Sequence, residues 1–339
     1  MRVALIPLAF CAILLSGCGR EDPMNGTLRG NTPFALELPV GAPMMSIPEE
    51  NPLTEASVAL GKKLFFEERL SVPVGTSCAS CHLTDHAFSD TLAQSIGSNG
   101  MTGMRNSPTL ANVGYHPALF HDGGVPNLEL QVLAPLHDPK EMNSDINAVA
   151  LLLRDEMAYD LLSKQAYGRR LDPWVISRAL ASYERTLVSG WSRYDRYVNG
   201  DGSALSAQEV QGWQLFNSAA LNCVACHNGF DLSDRTYQNI GTALDYGMDP
   251  GRERITLLPA DQGKFKVPTL RNIALTGPYM HDGSMQTLEQ VVEHFASGGL
   301  PHPNRSALMQ PFTLSMEEKA ALIAFLNSLT DDRSLDQVN

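Results

Sequence analysis

Two short runs, Cys78-Ala-Ser-Cys81-His82 and Cys223-Val-Ala-Cys226-His227, hold the densest reactive chemistry in the 339-residue chain. Two cysteines at this spacing can close a disulfide, supply half of a zinc site, or add both thiols to the vinyl groups of one porphyrin. Neither of the first two needs a histidine directly after the second cysteine, and here it stands there twice. Covalent haem does need it, because the adjacent imidazole is then placed to bind the iron axially. The pattern points to two covalently bound haem c groups. Cys78, Cys81, Cys223 and Cys226 are the expected attachment points, and His82 and His227 the expected iron ligands.

The other two of the six cysteines, Cys11 and Cys18, belong to the N-terminal segment. Arg2 precedes the apolar run "VALIPLAFCAILL", which ends in Leu15-Ser16-Gly17-Cys18. About 13 apolar residues are too few to span a bilayer, which takes about 20. Small residues directly before a cysteine read instead as a bacterial lipoprotein export signal over residues 1–18, with the lipid carried by Cys18. Gly19 rather than aspartate follows, so the expected place is the periplasm, anchored to the outer membrane. A net charge of −12 without any Lys/Arg run argues against nucleic acid and against binding of the folded part to an anionic membrane. Membrane contact would be through the lipid only, and a basic or uncharged protein partner fits better.

Two haems need two small cores to hold them. The length suits two domains, and 43% hydrophobic composition lets each bury a core. Residues 19–50, rich in Gly, Pro, Asn and Thr, read as a flexible tether. Beyond it, "SPTLANVGYHPALFHDGGVPNLELQV" (107–132) aligns without gaps on "VPTLRNIALTGPYMHDGSMQTLEQVV" (267–292), an offset of 160. Gly61-Lys-Lys-Leu64-Phe65 ahead of the first cysteine motif answers Gly212-Trp-Gln-Leu215-Phe216 ahead of the second. The repeat unit is thus a whole haem domain, and the expected fold is mainly α: two tandem cytochrome c-type domains related by an internal repeat, 51–190 and 191–339. "DPWVISRALASYERTLVSG" predicts a helix capped by Asp172, with Ile176, Leu180, Tyr183 and Leu187 on one face and a stop at Gly190. "SMEEKAALIAFLNSLT" predicts another, with a Ser315 cap, Glu318 three residues on, and Leu322, Phe325 and Leu326 inward.

With the haem motifs, the repeat and the phrases "RNSPTLANV", "FKVPTLRNIALTGPYMHDGSMQTLEQVVEHF" and "ASYERTLVSGWSRYDRY" read together, residues 51–330 resemble the bacterial di-haem cytochrome c peroxidase and MauG superfamily. The resemblance implies two helical haem domains, a calcium ion between them, and reaction with hydrogen peroxide at the N-terminal haem. It places Glu141 in "KEMNSD" at the family's distal glutamate, where a carboxylate can shuttle a proton between the peroxide oxygens. Gln131 matches another distal position, and Asn106 with the carbonyls of Thr276 and Pro278 matches the calcium site, whose hard oxygen donors suit that ion.

Three departures from the family matter as much. The histidine that closes the N-terminal haem in many peroxidases is replaced by Ser98, a poor ligand for ferric iron, so an open site is expected. The tryptophan between the haems is replaced by His121 in "LFHDGG". The C-terminal haem's distal methionine or tyrosine falls at Phe295, with His294, Met285, His302 and Met309 as substitutes. Together these lean towards the MauG-like branch, including the type found with copper-related partners. There, equivalents from peroxide oxidise a side chain of a partner protein. A peroxide-detoxifying peroxidase fed by a small cytochrome or cupredoxin is the second reading, and a di-haem electron carrier the third. An open iron argues against the carrier, which wants both irons six-coordinate.

Overall fold

The computed structural model describes residues 32–338, so the export signal, Cys18 and the first part of the expected tether lie outside it. The chain is mostly helical, with α1 (Glu55–Phe65), α2 (Leu128–Gln131), α3 (Leu133–His137), α4 (Ile146–Leu153), α5 (Met157–Tyr167) and α6 (Pro173–Glu184) in its first half. The second half holds α7 (Arg193–Val198), α8 (Ala207–Phe216), α9 (Glu253–Thr256), α10 (Leu288–Ser297) and α11 (Met316–Asn327). Strands β1 (Tyr237–Gln238) and β2 (Phe265–Lys266) form one short antiparallel pair.

The first core is built on the crossing of α1 and α6. Thr54 caps α1 in a reciprocal pair with Ser57, and Asp172 caps α6 by accepting from Val175 N at 2.9 Å. Gly61 lets the two helices touch, because a Cβ there would stand 1.9 Å from Ala179 O. Phe65 then packs edge-to-face on Tyr183, ring centroids 5.2 Å apart, inside a cluster with Leu60, Leu64, Ile176 and Leu180. The second core repeats this arrangement with α8 and α11. Gly212 would put a Cβ 1.9 Å from Ala321 O, and Phe216 meets Phe325 at 5.1 Å. Ser315 and Glu318 form the expected capping box of α11, and Leu322, Phe325 and Leu326 are buried.

Two expectations change. α6 ends at Glu184, not at Gly190: Thr186 turns its hydroxyl back onto Tyr183 O at 2.7 Å, and Leu187 O accepts instead from Asn112 N at 2.8 Å. Leu187 is still buried, but in the strap that follows the helix. Residues 32–50, the described part of the expected tether, lie against the body. Phe34 N donates to Leu53 O at 3.1 Å, Glu55 N donates to Thr32 O at 2.8 Å, and Met45 is buried, with its sulfur close over Gly114. At the other end of the chain, Leu335 enters the first core and Asp336 pairs with Lys62 at 3.0 Å. Among the described residues no helix is long and apolar enough to cross a membrane.

Candidate haem centres

Each cysteine motif is a single tight turn. Ser77 N donates to the Ser80 hydroxyl at 3.0 Å and Ser80 N to Ser77 O at 3.1 Å, and His82 N returns to Cys78 O at 3.0 Å; in the second motif His227 N returns to Cys223 O at 2.9 Å. All four cysteines are free thiols, and the described residues gather no group of three or more His, Cys, Asp or Glu able to hold a metal ion. The disulfide and zinc alternatives therefore find no support in the geometry. Burial pushes the thiols of Cys78 and Cys81 up and that of Cys223 up to about 11. Neutral paired thiols beside an imidazole suit thioether attachment.

The histidines are prepared in the same way. His82 Nδ1 lies 2.8 Å from Phe88 O and His227 Nδ1 lies 3.0 Å from Leu232 O, which puts the ring proton on Nδ1 and leaves the Nε2 lone pair for an iron. Burial lowers both pKa values, keeping the rings neutral. Beside His227 a cavity of about 230 Å³ is lined by Tyr194, Trp213, Phe216, Val224 and Phe325. Both sites fit a covalently held haem.

Glu141 faces the first motif. Desolvation by the surrounding protein, with Asp138 beside it, pushes its carboxyl up to about 7, and its charge in turn raises the thiols of Cys78 and Cys81. The residue is exposed, and its side chain makes no hydrogen bond to a described residue. Its backbone is fixed by Ser98, whose N–H donates to Glu141 O at 2.7 Å. The Ser98 hydroxyl donates to Val72 O at 3.0 Å, with Met142 O at 3.2 Å. Ser98, expected among the haem-binding residues, is thus turned to the backbone and pins the loop beneath Glu141. Gly97 allows that contact, since a Cβ there would meet Lys140 O at 2.1 Å. Gln131 ends α2, half-buried, behind the Asn127 cap.

The two halves meet through a reciprocal exchange: Asn106 N donates to His281 O at 2.8 Å, and Lys266 N donates to His121 O at 2.6 Å. His121 is held by a 2.9 Å contact from Nε2 to Asn106 O, and burial, with Arg105, His281 and Lys266 nearby, lowers its pKa to about 4. It is a neutral ring at the seam. The Asn106 amide nitrogen donates to Leu92 O at 3.0 Å, which leaves its Oδ1 free, and the carbonyls of Thr276 and Pro278 accept no hydrogen bond among the described residues. Neutral oxygens without donors are of the type that a hard cation takes. Sequence reasoning missed the charges around this seam. Arg105 binds Asp249 at 2.6 and 2.7 Å and Asp122 at 2.7 Å, and Lys266, pushed down to about 8 by burial, reaches His116 at 3.1 Å. The His-Asp pairs at 121–122 and 281–282 were the available signal.

Around the second centre, Phe295 lies on α10 against His294, whose Nε2 is 2.9 Å from Ile240 O. His302 Nδ1 accepts from Asn304 N at 3.1 Å, Met309 is buried, and the backbone of Met285 pairs with Tyr279.

A family model for di-haem cytochrome c peroxidase matches residues 55–203. Methylamine utilization protein MauG of Methylorubrum extorquens is 38% identical over 286 residues, covering 83% of this chain and 80% of that protein. Cytochrome c551 peroxidase of Nitrosomonas europaea is 36% identical over 340 residues, covering 98% and 92%. The crystal structure of a MauG-like protein associated with microbial copper homeostasis superposes with a TM-score of 0.84 at 33% identity, covering 90% of this chain and 97% of that one.

Proposed function

Because this chain belongs to the di-haem cytochrome c peroxidase and MauG family, an oxidoreductase family acting on peroxide, we propose that it uses the oxidising power of hydrogen peroxide on a side chain of a partner protein. The observation that carries this reading is Glu141: a carboxyl near pKa 7 facing the first haem motif, with the hydroxyl of Ser98 turned away from it. The haem, when bound, supplies the iron at which peroxide is reduced and stores the oxidising equivalents.

The remaining work falls to side chains. At neutral pH Glu141 is present in both protonation states, so it can take a proton from one peroxide oxygen and return it to the other. Gln131, whose side chain makes no hydrogen bond to a described residue, is free to orient peroxide or water. His82 and His227 hold the two irons, and Asn106 with the Thr276 and Pro278 carbonyls holds calcium where the halves exchange hydrogen bonds. His121, neutral at the seam, takes the place between the centres. Residues 51–190 and 191–339 are read as two related cytochrome c units, exported to the periplasm and tethered through Cys18.

Likeness to a MauG-like structure and to MauG supports the partner-oxidising reading. The near full-length match to a cytochrome c551 peroxidase favours the second, detoxification with a small electron donor. Mass spectrometry of the denatured holoprotein, expected to show two haems on peptides containing Cys78 and Cys223, tests the foundation. Peroxide turnover with and without a reducing cytochrome separates the two readings: rapid catalytic consumption of a reduced cytochrome would favour detoxification.

A further inference from the structure

An unbroken line of contacts leads away from His82 through the first core. Its Nδ1 lies 2.8 Å from Phe88 O; the Phe88 ring meets Phe65 edge-to-face at 5.8 Å, and Phe65 meets Tyr183 at 5.2 Å. Tyr183 is fully buried; its hydroxyl makes no hydrogen bond of full geometry among the described residues, and the one acceptor it approaches is the Asp336 carboxylate. Burying a hydroxyl without a full hydrogen bond is unfavourable, so packing alone does not account for it. At the corresponding crossing of α8 and α11 the ring is Phe325, which fills the space without a hydroxyl. Burial raises the Tyr183 pKa, and the charge facing the phenol most strongly is the Asp336 carboxylate of the C-terminal tail. Asp336 is paired with Lys62 at 3.0 Å and is partly open to solvent.

We propose that Tyr183 is a redox-active side chain that drains oxidising equivalents from the N-terminal haem through Phe88 and Phe65 when no partner protein is docked. The proposal rests on the peroxide reading above. In the step, the phenol O–H bond breaks. One electron passes along the rings to the peroxide-oxidised haem centre, which is thereby reduced by one electron, and the proton goes to the Asp336 carboxylate. A neutral tyrosyl radical and a protonated Asp336 remain. Electron transfer weakens steeply with distance, so contiguous rings favour this route over a jump to a remote side chain. The C-terminal core ends its corresponding line on Phe325 and carries Leu232 where His82 has Phe88, so it has no matching drain.

The test is freeze-quench EPR of ferric holoprotein mixed with peroxide in the absence of partner. The wild type should give a tyrosyl radical. Tyr183→Phe, which places the residue already found at 325, should lose that signal while keeping both haems, and its peroxide-oxidised optical spectrum should persist several-fold longer. Asp336→Asn, at a partly exposed position, should slow the appearance of the radical and serves if Tyr183→Phe fails to load haem. The same radical in Tyr183→Phe, or none in the wild type while the haem spectrum responds to peroxide, overturns the proposal. A haem spectrum that never responds to peroxide overturns the peroxide reading as well.

Discussion

The crossing of α1 with α6 and that of α8 with α11 share one design and differ in two side chains. Both use a glycine to bring one helix against a carbonyl of the other, and both set a phenylalanine on an aromatic ring at close to 5 Å. The first half then places Tyr183 and Glu184 where the second places Phe325 and Leu326. Glu184 is buried, makes no ion pair or side-chain hydrogen bond among the described residues, and lies close enough to Cys78 to raise its thiol. Two buried polar groups on one scaffold, against two apolar ones on the other, mean that the first half gives up stability beside its haem motif. On the function proposed above, that difference is expected of a half that meets peroxide beside one that relays electrons.

The largest effect expected from erasing the contrast belongs to Glu184. Burial pushes its carboxyl from 4.5 up to about 8, offset in part by Arg185 and reinforced by Glu129. A raised folded-state pKa favours folding at low pH; that advantage is lost as pH rises from the unfolded value through the folded one. Glu184→Leu should therefore stabilise the holoprotein increasingly between pH 4.5 and 8 and level off above, by up to roughly 5 kcal/mol at 1.36 kcal/mol per pKa unit. Thermal unfolding at pH 5 and pH 9 measures it, and an equal gain at both would refute the buried carboxyl.

Next in size, Gly61→Ala and Gly212→Ala should each destabilise by about 1–3 kcal/mol or more, since the backbone carbonyl opposite cannot give way cheaply. Denaturant unfolding of the two variants should show comparable losses, and a tolerant Gly212 would break the likeness of the two crossings. Smallest, Tyr183→Phe should gain about 1 kcal/mol by removing a buried hydroxyl without a full hydrogen bond, and Phe325→Tyr should lose a similar amount. The same unfolding curves decide both.

Much of this was legible because covalent attachment and helix capping demand fixed residues at fixed places. Cys-x-x-Cys-His admits few chemistries, and Asp172 and the Ser315–Glu318 pair mark helix starts through local hydrogen bonds. What stayed hidden depends on partners far along the chain. Asn112 takes up the Leu187 carbonyl beyond α6, Leu53 and Thr32 hold the segment read as free tether, and Arg105 finds Asp249 across the seam. Ser98 was read from its residue type as a poor iron ligand at the haem site, and its bonds to Val72 and Met142 were not legible. No local pattern announces a hydroxyl turned to a distant carbonyl.

In the proposed function, Glu141 works the proton at an open N-terminal iron. Stopped-flow mixing of ferric holoprotein with peroxide across pH tests it most directly. The wild type should be high-spin and react without prior reduction, its rate rising with pH through about 7 as the Glu141 carboxyl becomes able to accept a proton. Glu141→Gln should keep both haems, react roughly 10²–10⁴-fold more slowly and lose that pH step. A resting enzyme inert until one electron is added, or an unchanged rate and pH profile in Glu141→Gln, would contradict it.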